Sequence, residues 1–154
     1  MAVRVSTSGF DVSAELAQLT ASDAGIGGVA LFVGKVRDHA HGEQLTELVL
    51  EHYPGMTEAE LERIEAEASR RFTLSASLIV HRVGTLRPGD NIVLVIACSS
   101  HRQNAFAAAE FLMDYLKTRA PFWKKEVLAN GETRWVDARE SDDTAAAAWE
   151  SEQE

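Results

Sequence analysis

In the stretch PFWKKE, two lysines stand directly behind Pro121, Phe122 and Trp123, and the chain has only two others. If this stretch is a strand, alternation puts Phe122, Lys124 and Glu126 on one face and Trp123 and Lys125 on the other. Only one of the lysines can then enter a given pocket. Lys124, beside an aromatic and a carboxylate, is the candidate for a held functional amine, and Lys125 is the solvated one. Lys117 follows Met113 by four residues, so it borders an apolar helical stripe near a helix end. A lysine there is ordinarily a water-exposed partner of the helix dipole. Covered by apolar neighbours, it would instead lose affinity for its proton, which suits proton transfer or nucleophilic work.

The stretch SSHRQNAF offers a different chemistry. With Ser100 as N-cap, His101 and Arg102 fall in the first helical turn, where free N–H groups and the dipole favour an anion. An arginine at that end opposes the dipole, which makes sense if a phosphate or carboxylate sits there; pairing with a neighbouring acid is the plainer alternative. Arg37 ends the run VALFVGKVR at a polar loop and is a further anion-ligand candidate, although strand-end arginines are mostly solvated. His39 and His41 flank Ala40 without a third ligand nearby, which argues against a metal pair. Cys98, inside an apolar run, reads as a core residue.

These side chains need elements to hold them. AVRVST and VALFVGKV alternate as strands, and LTELVLEHY reads as a partner of the second, making 29–53 a long hairpin. DVSAELAQLTAS is a helix capped by Asp11. Thr57 and Glu60 have capping-box spacing ahead of a helix whose stripe is Leu61, Ile64, Ala68 and Phe72. LSASLIVHRVG and NIVLVIACS are strands joined across LRPGD, the second apolar enough to be covered on both faces. Ala105, Ala108, Ala109, Leu112, Met113 and Leu116 then mark a helix that must end near Arg119, because Pro121 disfavours helical geometry at Ala120. A final hairpin spans PFWKKEVL and TRWVDAR. The expectation is one α+β domain over residues 1–140, followed by an acidic tail over 141–154.

The chain has 154 residues, 45% of them hydrophobic, enough for one real core. No apolar run approaches the ~20 residues that cross a bilayer, and the N-terminus lacks the apolar stretch of a secretory signal. A single cysteine excludes an internal disulfide framework and suits a reducing cytosol. The net charge of −9 argues against general nucleic-acid binding. Its distribution is uneven: residues 101–139 carry +2 and the remainder −11. A basic island on an acidic protein suggests a local anion site. His101 and Lys117 lie roughly 24 Å apart along one helix, so one small ligand group cannot touch both within a chain. A site using both would need a long substrate or a second copy, and a twofold dimer is expected.

Taken together, GGVALFVGKVRD, TELVLEHYPGM, HRVGTLRPGD, SSHRQNAF, LKTRAPFWKKE and RWVDAR closely resemble the family of molybdopterin synthase catalytic (large) subunits, in order from about residue 3 to residue 143. The resemblance implies an α/β-hammerhead fold with antiparallel sheets. It implies a cytoplasmic sulfurtransferase without a cofactor or metal of its own. Its large subunits dimerise, and each binds a small ubiquitin-like sulfur-carrier subunit, giving a heterotetramer. The carrier's Gly-Gly C-terminal thiocarboxylate delivers two sulfurs in turn to cyclic pyranopterin monophosphate, forming the dithiolene of molybdopterin. Carried over residue by residue, Lys117 is the principal catalytic amine and Lys124 assists. Arg37, His101, Arg102 and Arg139 would bind the anionic substrate, and Phe32, Met113 and Phe122 would form apolar walls. Two other classes of function fit the residues alone: a lysine Schiff-base lyase acting on a phosphorylated carbonyl compound, and a non-enzymatic dimer that binds a phosphorylated metabolite.

Overall fold

Alternating and continuous apolar runs become strands, and the 3.6-residue stripes become helices, in the computed structural model, which describes residues 2–136 and 140–151. In order these are β1 (Ala2–Ser6), α1 (Val12–Thr20), β2 (Gly28–Lys35), β3 (His39–Ala40), β4 (Glu43–His52) and α2 (Met56–Phe72). Then come β5 (Ala76–Arg82), β6 (Gly84–Leu86), β7 (Asn91–Ser99), α3 (Arg102–Arg119), β8 (Phe122–Leu128), β9 (Thr133–Val136) and α4 (Glu140–Ser151). One sheet runs β1-β5-β7-β2, and the other runs β3-β4-β8-β9 with β6 also paired to β4. Every pairing is antiparallel except β1 with β5. The α+β expectation holds.

The β7 run is apolar because both its faces are covered. Val93, Val95 and Ala97 meet Leu61, Ile64 and Ala68 of α2 and Ala108, Phe111 and Leu112 of α3. Leu94, Ile96 and Cys98 point the other way, onto Val12, Leu16 and Leu19 of α1. A smaller core of Val36, Leu48, Leu50, Val83 and Leu86 lies against the second sheet.

Three local expectations change. Residues 29–53 do not form a hairpin: β2 pairs with β7, from Gly28↔Ser99 onward, whereas β4 pairs with β8 and β6. Alternation identified both strands but could not assign partners, because pairing is a long-range choice. The α2 N-cap is Gly55, at φ 87°, with the Glu58 carboxylate accepting its backbone N–H. Thr57 lies inside that helix, fully buried, and is used otherwise. The α3 N-cap is His101 rather than Ser100, and Arg102 opens the helix.

That α3 start is held by the glycines of GIGG. A Cβ on Gly27 would meet the Ser100 carbonyl oxygen at 2.0 Å, and one on Gly28 the Arg102 Cα at 3.1 Å. Gly27 also donates its N–H to the Ser99 carbonyl at 3.0 Å. Only glycine allows backbone to approach so closely.

Residues 140–151 pack as a helix. Trp149 stands edge-on to Phe72 and Phe111, with ring centroids 5.7 and 5.6 Å away, and donates its indole N–H to Asp114 at 2.7 Å.

Candidate active site

Helix α3 cannot continue through Ala120, whose backbone is extended ahead of Pro121 (φ −76°, ψ 132°). The chain reverses there and re-enters as β8, so Lys117 and Lys124 come to line one cavity although they lie on different elements. Strand alternation in β8 is as the sequence predicts. Phe122, Lys124 and Glu126 face the cavity, whereas Lys125 points away, 5.8 Å from the Trp135 ring centroid.

Arg37 reaches the same cavity from beyond β2. The backbone beside it is pinned: Val36 donates to the Asp90 carbonyl at 2.9 Å, and Gly89 donates back to the Val36 carbonyl at 2.8 Å. Phe32 and Met113 supply apolar wall, and the whole space is about 580 Å³, the size of a small-molecule site.

The two amines differ. Lys117 is exposed on the rim. Lys124 is largely covered, and desolvation first, then the neighbouring Lys117 charge, pushes its amine below the usual lysine range, with Asp142 and Glu126 opposing. Burial therefore lowers the proton affinity of the strand lysine. Glu126 is 7% exposed and accepts a 2.8 Å bond from Arg134 Nε, so its carboxylate is partly occupied by that arginine.

His101 and Arg102 do not line this cavity. Both are exposed at the opposite end of α3 from Lys117. Arg139, also expected to bind substrate, lies outside the described residues. Three titratable cavity residues escaped the sequence reading: Lys35 at the end of β2, Asp142 and His81. Asp142 comes from α4, and no motif announced it. His81 lies in β5, 3% exposed, its ring stacked on Phe122 at 3.9 Å and 18°. A histidine amid the apolar run SLIVHRV was a usable signal, since burying an imidazole needs a reason. Among the described residues, no group of three or more His, Cys, Asp or Glu side chains is placed to hold a metal ion. No helix there is long and apolar enough to cross a membrane.

The cavity brings three lysines (Lys35, Lys117 and Lys124) and Arg37 together with apolar walls on an α+β scaffold. Comparison with known proteins gives the family. The family model described as MoaE protein matches residues 5–119, and the chain belongs to that family. A molybdopterin synthase catalytic subunit from Mesorhizobium japonicum is 54% identical over 153 residues, 99% of this chain and 95% of the relative. The solved structure of a molybdopterin biosynthesis MoaE protein from Burkholderia ambifaria superimposes with TM-score 0.82 at 55% identity, covering 97% of this chain and 98% of that one. That of molybdopterin synthase from Staphylococcus aureus gives TM-score 0.80 at 28% identity, covering 86% and 95%.

Proposed function

We propose that this chain is the catalytic subunit of a molybdopterin synthase. It transfers sulfur from the thiocarboxylated C-terminus of a small ubiquitin-like carrier subunit to cyclic pyranopterin monophosphate, forming the molybdopterin dithiolene. The observation that supports this best is the meeting of Arg37, Lys117 and Lys124 around one cavity. The carrier's thiocarboxylate and the substrate's phosphate are both anions, and concentrated positive charge holds both. Bringing the carrier tail beside the pterin also turns a bimolecular attack into a positioned one.

Each residue then has a part. Lys117, exposed on the rim, orients the incoming thiocarboxylate. Lys124, whose amine is pushed down by burial, exchanges protons with intermediates. Arg37 holds the phosphate, and Phe32 and Met113 exclude water around the pterin. His101 and Arg102, too far along α3 to serve this chain's own cavity, serve that of a second copy in a twofold dimer. Arg139 joins the same anion-binding set. The working assembly is a dimer carrying two carrier subunits, in the cytoplasm.

Reconstitution tests the reading. The purified chain is mixed with thiocarboxylated carrier and cyclic pyranopterin monophosphate, and molybdopterin is detected as its fluorescent oxidation product. Product is expected from the wild type, with a loss of about a hundredfold or more in Lys117→Ala. Near-normal turnover in that variant overturns the role of Lys117. Absence of product despite carrier binding overturns the function.

A further inference from the structure

Sulfur transfer from a carrier thiocarboxylate has a chemical consequence at the carrier end. Once the sulfur bonds to a pterin carbon, it joins carrier and substrate as a thioester, and water must cleave that thioester to free the carrier. A base beside the water speeds such a step. Most polar groups of the cavity are engaged otherwise. Arg37 and Lys117 are exposed cations, Lys35 donates to Asn91 Oδ1 at 2.6 Å, and Glu126 accepts from Arg134. The Asp142 charge acts on Lys124, and His81 is 3% exposed, away from bulk water. His39 differs from all of these. It lines the cavity from β3, yet its side chain is open to solvent. Its Nδ1 lies 2.5 Å from Asp38 Oδ1. A carboxylate only accepts, so Nδ1 carries the hydrogen and, in the neutral ring, Nε2 keeps its lone pair. The segment that carries the two residues is pinned. The Asp38 carbonyl accepts the Leu45 N–H at 2.8 Å, His39 pairs with Gln44 of β4, and the Ala40 carbonyl accepts from Arg134 at 3.1 Å. Arg134 also binds Glu126, so one guanidinium ties the strand of His39 to the strand bearing Lys124.

We propose that His39 is the catalytic base that releases the carrier, with Asp38 as its positioning residue: Nε2 takes a proton from the water that attacks the thioester carbonyl. The water oxygen bonds to the carbonyl carbon, and the carbon–sulfur bond breaks with its electron pair on sulfur. The proton held on Nε2 passes to that sulfur, leaving a thiol on the pterin. The second water proton goes to solvent as the carrier departs as a carboxylate, and nothing is oxidised or reduced. Asp38 keeps the hydrogen on Nδ1 and stabilises the imidazolium formed in between. The contact acts on Asp38 too: the His39 hydrogen bond first, and its charge second, hold that carboxyl below the usual carboxylate range. An exposed pair of this kind adds little to stability, so its loss should be felt in turnover rather than in folding. The role rests on the sulfur-transfer reading above.

The test is a single turnover of the full-length chain with thiocarboxylated carrier and cyclic pyranopterin monophosphate, quenched in acid and read as intact carrier mass. Wild type, His39→Gln and Asp38→Asn are compared, with folding checked by urea midpoints. Wild type should yield the carboxylate form of the carrier without a build-up of adduct. His39→Gln should form the carrier–substrate adduct at the wild-type rate but hydrolyse it about a hundredfold more slowly, so that the adduct accumulates. Hydroxylamine, which cleaves a thioester without a base, should release it. Asp38→Asn should accumulate the same adduct to a smaller extent, and the urea midpoints of both variants should match the wild type. Hydrolysis at the wild-type rate in His39→Gln overturns the proposal, as does a variant that forms no adduct at all, since His39 would then act before the thioester exists. A wild-type rate in Asp38→Asn overturns the part of Asp38. A wild type that turns nothing over overturns the sulfur-transfer reading, and this role with it.

Discussion

Lys124 and His81 show how one cavity treats two ionisable groups. Both lose affinity for protons chiefly because burial removes water from the charged form. For His81 the consequence is a pH-dependent stability. Between pH 6.5 and about 4 the unfolded imidazole binds a proton that the folded one refuses. Stability is therefore lost as pH falls through that window, by up to roughly 3 kcal/mol, and is unaffected above it. Urea midpoints of wild type and His81→Phe, measured at pH 7 and pH 4.5, should show the wild type losing more on acidification. Equal losses would mean that the imidazole protonates freely in the fold. Lys124→Met should raise the urea midpoint at pH 7, because the charge is costly where it sits, while turnover falls by about a hundredfold or more. The sequence exposed Lys124 through strand alternation, and it raised a lowered amine for Lys117 only on the condition that apolar neighbours covered it. Spacing shows that a lysine borders an apolar stripe; it does not show which lysine the neighbouring strands will cover.

Among the elements, the turn between α3 and β8 decides whether a site exists. Pro121 ends the helix, and Thr57 of α2 holds the turn from the other side. Its hydroxyl donates to the Pro121 carbonyl at 3.0 Å and accepts from the Tyr53 N–H at 2.9 Å. Thr57→Val keeps the shape and strands both backbone groups, so it should cost about 2 kcal/mol of stability. It should also lower turnover, because the strand bearing Lys124 begins at the freed carbonyl. An unchanged urea midpoint would show that water replaces the hydroxyl. Capping-box spacing drew attention to Thr57 for another reason, and the true cap is a glycine at φ 87°. Helix ends signal weakly in sequence because several polar residues in a row can satisfy the same free N–H groups.

The whole molecule carries −9, yet the stretch that builds the cavity is locally basic. Anionic ligands should therefore bind more weakly as salt rises, since the rim charges at Lys117 and Arg37 are exposed to screening. The length of α3 bears on assembly. With His101 and Arg102 at one end and Lys117 at the other, the proposed site is complete only if two chains share it. Sedimentation at micromolar concentration should give twice 16.8 kDa, and a monomer would remove the shared site. Mixing Arg102→Ala with Lys117→Ala under exchange should restore about a quarter of wild-type activity. Half of the resulting dimers would then hold one intact site of two. No recovery would mean that both residues serve the same chain's cavity.

The sequence by itself determined the α+β class, the extents of most strands and helices, the face of β8 that carries Lys124, and the family. These depend on local periodicity, on proline geometry and on motifs that stay together along the chain. Only the tertiary structure decided that β2 pairs with β7 rather than β4, that His101 and Arg102 stand away from the lysines, and that His81 and Asp142 line the cavity. Strand partners and burial arise from contacts between distant residues. The energy that selects them is shared across a whole core, and no short window of sequence contains it.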